Sequence, residues 1–411
     1  MQIRKGYRYR LKTSHTTGGK FVHCAGACRF VWNKMLSMNE HRYFSGVPRL
    51  SYAEACALVA WWKQSAEYGW LKEVHSQVLQ QCLKDLERAY ANLYAGRSAP
   101  PRYRKKLLAD SFRYPQGFKL DGRQVYLPRI GWVEFWKSRE IEGTVKNVTI
   151  SRDGTHWCVA FQVEMHGDSP VHPATAEVGI DLGIATFAAF SHGTLHPPLH
   201  AYRKAEKKKA RMQRRLAGMV KYSCNWKKQQ RRIAQLDSRT AHCRHDFLHK
   251  LSTDISKNHA VVVLEDLQVR NMSQSATGTV AEPGKHVAQK AGLNKAILDQ
   301  GWGLLRRMLE YKQAWRGGAV IVVNPRYTSQ TCPACGHIAK ANRPQQALFL
   351  CVACGYSHHA DVVAAQNILA LGHRERLNAF APRERRQESP SFTAGRMSKH
   401  ESHEAVNAAS P

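Results

Sequence analysis

Val178-Gly-Ile-Asp-Leu-Gly-Ile-Ala-Thr-Phe-Ala-Ala-Phe190 is the stretch on which the reading of this chain turns. An apolar run of strand length ends in an acid, Asp181. A glycine turn follows, and then a second apolar run begins. Reading outward, a buried strand (His259-Ala-Val-Val-Val-Leu264) leads directly into Glu265-Asp266, and a polar, loop-like stretch covers 268–290. A helix over Trp302 to Trp315, a strand over Ala319 to Val323 and a helix over Val362 to Leu369 complete the series. Strands alternating with helices across 176–371 predict an α/β sheet.

Upstream, the pattern differs. Residues 1–20 alternate (Ile3, Tyr7, Tyr9, Leu11) and reach Gly18-Gly19, which reads as an edge strand and a turn. Over 21–95 the period becomes helical: Phe21, Cys24, Cys28, Val31, Trp32 and Met35 share one face, and Val74, Val78, Leu79, Leu83, Leu86, Tyr90 and Leu93 another, with Ser76 as an early cap. Ala99-Pro100-Pro101 breaks this lobe, and Arg102-Tyr103-Arg104-Lys105-Lys106 follows. Short strand patterns punctuated by Asp121-Gly122, Gly131 and Asp153-Gly154 fill 110–165 and predict a small antiparallel β-barrel. Asp168 to Thr175 reads as a linker, and the charged tail beyond Gly372 as disordered.

The chain has 411 residues, 43% of them apolar, with 10 Trp and 13 Phe, enough for two or three cores. Its 62 Lys and Arg against 31 Asp and Glu give a formal charge of +31, which repels itself unless a polyanion is bound. Nucleic acid is the expected partner. No apolar run approaches the roughly 20 residues that span a bilayer, and no membrane partner is expected. Met-Gln-Ile-Arg-Lys-Gly-Tyr7 lacks the apolar core of a secretory signal, so a reducing compartment is expected. The basic residues concentrate in 203–232, where 13 cations face the single acid Glu206. So unbalanced a run points to phosphate contact rather than to a solvated helix face. Tyr103, and the Trp61-Trp62-Lys63 run, carry rings able to stack on bases, although helix core is the readier reading of the tryptophans.

Seven of the 11 cysteines are scattered and read as small, partly buried thiols. The other four form Cys332-Pro-Ala-Cys335-Gly and Cys351-Val-Ala-Cys354-Gly, separated by the 15 residues 336–350. Two CxxC-Gly knuckles at this spacing present four thiolates to Zn²⁺, and a site filled by protein ligands is structural.

The remaining signal is three acids beside apolar elements: Asp181, Glu265 and Asp361. Singly, each has a plain structural reading, as a turn cap, an exposed strand end and a helix N-cap. Together they can build a hard-oxygen site for two Mg²⁺ ions, with Mn²⁺ as a possible substitute, of the kind that hydrolyses phosphodiesters.

Here the residues resemble a known family. Gly179-Ile-Asp181-Leu-Gly183, Val263-Leu-Glu265-Asp-Leu267, the zinc ribbon, and Asp361 with Ala364-Ala365 and Asn367 are similar, in that order, to the RuvC motifs of TnpB, a transposon-encoded nuclease related to the type V CRISPR effectors. Asn324-Pro-Arg-Tyr-Thr-Ser-Gln-Thr-Cys332, Gly301-Trp-Gly303, Asp246-Phe-Leu-His249-Lys250 and Cys28-Arg-Phe-Val-Trp-Asn33 add to the resemblance, which runs from about residue 7 to 371. It implies an α+β multi-domain fold: a wedge β-barrel (1–20 and 100–168) with a helical recognition insertion (21–99), an RNase H-like RuvC α/β domain (176–325 and 356–371), and an inserted zinc ribbon (326–355). Asp181, Glu265 and Asp361 would be the catalytic metal ligands, and Cys332, Cys335, Cys351 and Cys354 the zinc ligands. A guide RNA from the transposon end would direct cleavage of matched double-stranded DNA beside a short adjacent motif, in a prokaryotic cytoplasm. The third motif departs from the pattern: His358-His359-Ala360-Asp361-Val-Val363 stands where many relatives have Arg before the Asp and Asn two residues after it.

Several rivals use part of this signal. A guided repressor that binds without cutting is expected to have lost an acid, and none is missing here. A zinc-finger transposition regulator leaves the acids unexplained, since the ribbon spans only 332–354. A strand-transfer transposase uses a similar acidic trio, but the resemblance points to an accessory role.

Overall fold

The computed structural model describes residues 2–106, 110–167 and 170–380. Its N-terminal half begins with β1 (Gln2–Arg10), followed by α1 (His15–Phe44), α2 (Tyr52–Gln64) and α3 (Ser76–Tyr94). The apolar faces expected of α1 and α3 are buried, from Phe21 to Met35 and from Val78 to Tyr90. The turn expected at Gly18-Gly19 is helix instead. The Ser14 hydroxyl accepts the Thr17 amide at 3.1 Å and starts α1 ahead of the glycines. Ser76 is the first residue of α3 rather than its cap, and its hydroxyl accepts from Lys63 Nζ at 2.8 Å.

Six strands follow: β2 (Ser111–Tyr114), β3 (Lys119–Asp121), β4 (Gln124–Leu127), β5 (Gly131–Glu134), β6 (Thr144–Asp153) and β7 (His156–His166). They do not close the expected barrel. Among the described residues they make an open four-stranded sheet, β1-β7-β6-β2, with β1 at one edge, and a three-stranded sheet, β3-β4-β5. A single bridge, Leu11 to Phe135, joins the two. At the open edge β2 has four residues and runs into Pro115, which has no amide hydrogen to extend a ladder. The helices pack directly on the first sheet, with the Phe21 ring 5.9 Å from Phe112 and 5.3 Å from Trp157.

The second half is an α/β unit: β8 (Glu177–Asp181), β9 (Ala188–Phe190), β10 (Leu195–His196), α4 (Ala201–Ala217), α5 (Cys224–Asn258), β11 (Val261–Glu265), α6 (Val269–Met272), α7 (Val287–Gln300), α8 (Trp302–Arg316), β12 (Ala319–Val323), β13 (Leu348–Leu350), β14 (Ser357–His359) and α9 (Ala360–Phe380). Strand order in the main sheet is β10-β9-β8-β11-β12, with β8, β11 and β12 parallel. Val261 to Leu264 are all buried because β11 is covered on both faces. Val262 and Leu264 pack with Leu251, Ile255 and Leu305 of α5 and α8. Val261 and Val263 pack with Ile368 of α9.

Two glycines let α9 lie this close. A Cβ on Gly179 would sit 2.2 Å from the Ala365 carbonyl oxygen, and one on Gly372 would sit 2.5 Å from Val263 Cγ2. Gly372 therefore does not begin the tail; it is a contact point within a helix that continues to Phe380. The rest of the segment expected to be disordered lies outside the described residues.

Candidate active site and metal centre

Adjacent parallel strands β8 and β11 carry Asp181 and Glu265 at their carboxyl ends. Ligand and reaction sites of open α/β sheets are built at such ends. Asp361 comes from the first turn of α9, which the Gly179 contact holds against β8. The three expected acids are thereby brought together. Burial, and then the charges of Glu265 and Asp361, push the Asp181 carboxyl up to about 7, while Arg343 and the Leu182 amide pull against them. Burial also raises Glu265, opposed by its hydrogen bond from Thr328. Asp266, the next residue, is no part of this cluster: it is ion-paired with Arg306 at 2.8 Å.

Two of the carboxylates have partners to which the sequence reading gave no role: Thr328, within the Asn324 to Cys332 motif, and Arg343, outside every motif. Thr328 Oγ1 donates to Glu265 Oε1 at 2.7 Å. Arg343 donates to Asp361 Oδ1 at 2.9 Å. Asn367, one of the motif residues, donates to the Thr328 and Thr331 carbonyls at 2.8 and 2.7 Å and so ties α9 to the segment that begins at Asn324. His358 and His359 lie on β14, paired with Phe349 and Leu348. His359 Nδ1 accepts the Asp361 amide at 3.3 Å, which makes it a cap for α9.

The four expected cysteines also meet: Cys332, Cys335, Cys351 and Cys354 have all their Sγ atoms within 4.8 Å of one another. Gly336 and Gly355 adopt φ of +75° in both knuckles, and each amide returns to the first cysteine's carbonyl at 2.9 Å. Four free thiols converging on one point fit a tetrahedral Zn²⁺ and leave no open coordination position. The two positions that depart from the third motif, Ala360 and Val363, pack against Cys332, Phe349 and Cys351. Their side chains serve the ribbon's small core.

The basic segment forms α4 and the start of α5. No α4 side chain is buried, and of the segment's 13 cations only Lys209 has an ion pair among the described residues, to Asp237 at 2.7 Å. In the Cys28 to Asn33 motif, Trp32 Nε1 donates to the Arg102 carbonyl at 3.0 Å and Asn33 exchanges two hydrogen bonds with the Arg104 backbone. The motif thus clips the Arg102–Lys106 run onto α1. Trp62 is core, as expected, whereas Trp61 is 64% exposed. Sequence reasoning missed a cleft of about 460 Å³ between β1, the β6–β7 turn and α5, lined by Arg8, Arg10, His156, Arg239 and His242. Its centre is Asp153, which accepts from Arg8, Ser238 and His242 at 2.7, 2.6 and 2.8 Å. Along the chain Asp153 reads only as part of a turn, and nothing pairs it with Arg8, Ser238 or His242.

Comparison with known proteins gives a consistent picture. Residues 160–276 match the OrfB_IS605 family, described as a probable transposase, and 302–368 match the Cas12f1-like TNB domain. Residues 1–46 match a family described as a helix-turn-helix domain, although β1 and α1 fill that range here. A putative RNA-guided DNA endonuclease of Escherichia coli K12, InsQ, is 47% identical over 91% of this chain and 93% of its own length. The chain belongs to the TnpB family. A second family member, a putative RNA-guided DNA endonuclease of Streptomyces pristinaespiralis, is 34% identical over 90% of each chain. The TnpB-type fold is also similar to a solved Cas12f1 structure determined with single guide RNA and target DNA, with TM-score 0.55, 12% identity and coverage of 89% of this chain and 98% of that one.

Proposed function

We propose that this TnpB-family chain is an RNA-guided DNA endonuclease that hydrolyses phosphodiester bonds of guide-matched double-stranded DNA with one RuvC-type site. The observation that carries the reading is the convergence of Asp181, Glu265 and Asp361 at the carboxyl ends of β8 and β11, with Asp181 raised by burial and by the charges of the other two. Three carboxylates crowded in a half-buried place are costly unless a cation joins them. Mg²⁺ ions held there, or Mn²⁺ in their place, would supply an activated water and charge stabilisation at the leaving oxygen. The chain's own contribution is positional: Thr328 fixes Glu265, Arg343 fixes Asp361, and Asn367 ties α9, which carries Asp361, to the segment that carries Thr328.

In the same reading, Zn²⁺ on the four cysteines is structural, and α4 with the start of α5 tracks the phosphates of a guide–target duplex. Residues 176–325 and 356–371 form the nuclease domain, 326–355 the ribbon, and the N-terminal sheets with α1 to α3 the wedge and recognition parts. Among the described residues, no helix is long and apolar enough to cross a membrane.

The test is cleavage of plasmid carrying a matched target, by protein co-expressed with RNA from its own genomic flank. Linear product that requires Mg²⁺, matched RNA and Asp181 supports the proposal. Tight guided binding by the unsubstituted chain, with no cutting under any divalent cation, overturns it in favour of a guided repressor.

A further inference from the structure

The outer face of the β3-β4-β5 sheet carries a feature that neither the acids nor the basic helices use. Along β5 and the two residues after it the side chains alternate: Val133 and Phe135 are buried at 4% and 1% exposure, while Trp132 and Trp136 are exposed at 50% and 60%. Strand pairing places Trp132 opposite Tyr126, and Tyr126 opposite Lys119. A cross-strand row, Lys119–Tyr126–Trp132, results, with the two ring centroids 5.5 Å apart. Trp136 lies farther along the same face, and Lys12 Nζ stands 4.6 Å from its ring centroid.

We propose that this row is a stacking platform for unpaired nucleotides of the RNA that the chain carries. Aromatic rings side by side on neighbouring strands of an exposed antiparallel sheet present flat surfaces on which successive bases stack. Lys119 and Arg123 stand at one side of the strip, in no ion pair among the described residues, and are the cations available to phosphates; Lys12, at the other side, is engaged by Glu134. The nearest carboxylate on β5, Glu134, is already bound to Lys12 at 2.8 Å. RNA rather than DNA is assigned because the platform belongs to the N-terminal core, whereas the three carboxylates belong to the sheet of the second core. A strand lying there is held, not cut.

The assignment rests on the reading that the chain carries RNA and not on cleavage, so it is tested in full-length Asp181→Ala protein. The probe is an unstructured oligouridine of about 12 nucleotides, a length within the footprints of such surfaces, with 5-iodouridine for crosslinking and its deoxy counterpart as control. We expect crosslinks to the peptide containing Trp132 and Trp136. Trp132→Ala with Trp136→Ala should weaken binding about tenfold or more with the salt slope unchanged, since every cation is kept, and Trp132→Phe with Trp136→Phe should keep most of the affinity. Native affinity in a folded double-alanine chain overturns the proposal. If that variant fails to fold, absence of the crosslink in the unsubstituted chain overturns it instead. Equal or tighter binding of the deoxy probe, abolished by the same substitutions, overturns the assignment to RNA.

Discussion

Arg343, between the two cysteine knuckles and in no motif, reaches from the zinc ribbon to Asp361 Oδ1 across 2.9 Å. The cation stands between the ribbon and the nuclease sheet, and its field opposes the upward push on Asp181.

Arg343→Ala should therefore leave Asp361 without its orienting partner and raise Asp181 further. The expected loss of cleavage is about 10–100-fold, the range for removing a partner that orients a metal-binding side chain. The acid limb of the pH–rate profile should move to higher pH. Guide RNA affinity should be unchanged, and an unmoved profile would count against the coupling.

Without divalent cation the raised Asp181 also makes stability depend on pH. The folded carboxyl holds a proton up to about 7, and an unfolded one loses it near 3.8. Between those values the native state binds more protons, so its stability falls as pH rises toward the folded value and levels off above it. In magnesium-free buffer, Asp181→Asn should raise the melting temperature at pH 8 by roughly 2–4 °C, and by much less near the unfolded value. Equal shifts at both ends of the window would contradict the assignment of burial and neighbouring charge as the cause.

Gly179→Ala tests the helix–strand contact that delivers Asp361. The new Cβ would meet Ala365 O at 2.2 Å and Leu369 N at 2.7 Å, both backbone atoms. Destabilisation of about 1–3 kcal/mol or more is expected, read as a lower urea midpoint. Cleavage should fall further than Gly19→Ala would cause, since a Cβ there meets nothing within 4 Å.

Cys351→Ser should abolish the bound zinc measured by elemental analysis. The loop holding Asn342 and Arg343 hangs from this cluster: Asn342 Oδ1 accepts the Val352 amide at 3.1 Å, and its amide group donates to the Gln330 and His337 carbonyls. Cleavage should disappear along with the metal. Full activity in a zinc-free chain would separate the ribbon from the carboxylates.

Replacing Lys207, Lys208 and Arg211 by alanine should weaken binding of guide RNA and target uniformly across sequences. The slope of log K against log salt should become shallower by about one unit for each phosphate left without its cation. A sequence-dependent effect would mean that the helix reads bases.

The main elements were legible because their patterns are strong. Val261 to Leu264 spell a strand covered on both faces, and the cysteine spacing fixes two knuckles. Asp181 and Glu265 were located by the strands that end in them and Asp361 by the helix it begins, and the resemblance to TnpB joined the three. Their supports were not: Thr328 stood within the Asn324 to Cys332 motif with no partner indicated and Arg343 in no motif, because both meet Glu265 and Asp361 only through the folded path of the ribbon. The N-terminal sheets exposed the opposite weakness. Alternation identifies β2 to β7 as strands but carries no information on closure, which Pro115 and the brevity of β2 prevent. Gly18-Gly19 looked like a turn because the capping by Ser14 acts at a distance of three residues, where a hydroxyl outweighs the local cost of glycine.

The place of α9 constrains how such a chain can decay. The helix that contributes Asp361 also lays Ile368 over Val261, Val263 and Val323 on one face of the sheet. Truncation upstream of residue 360 would strip a hydrophobic cover as well as an acid, and the remnant would be cleared as an unfolded chain. A lineage that keeps the guide and abandons the cut is therefore expected to change by substitution, at Asp181, Glu265, Asp361 or a residue that supports them, leaving a full-length relic.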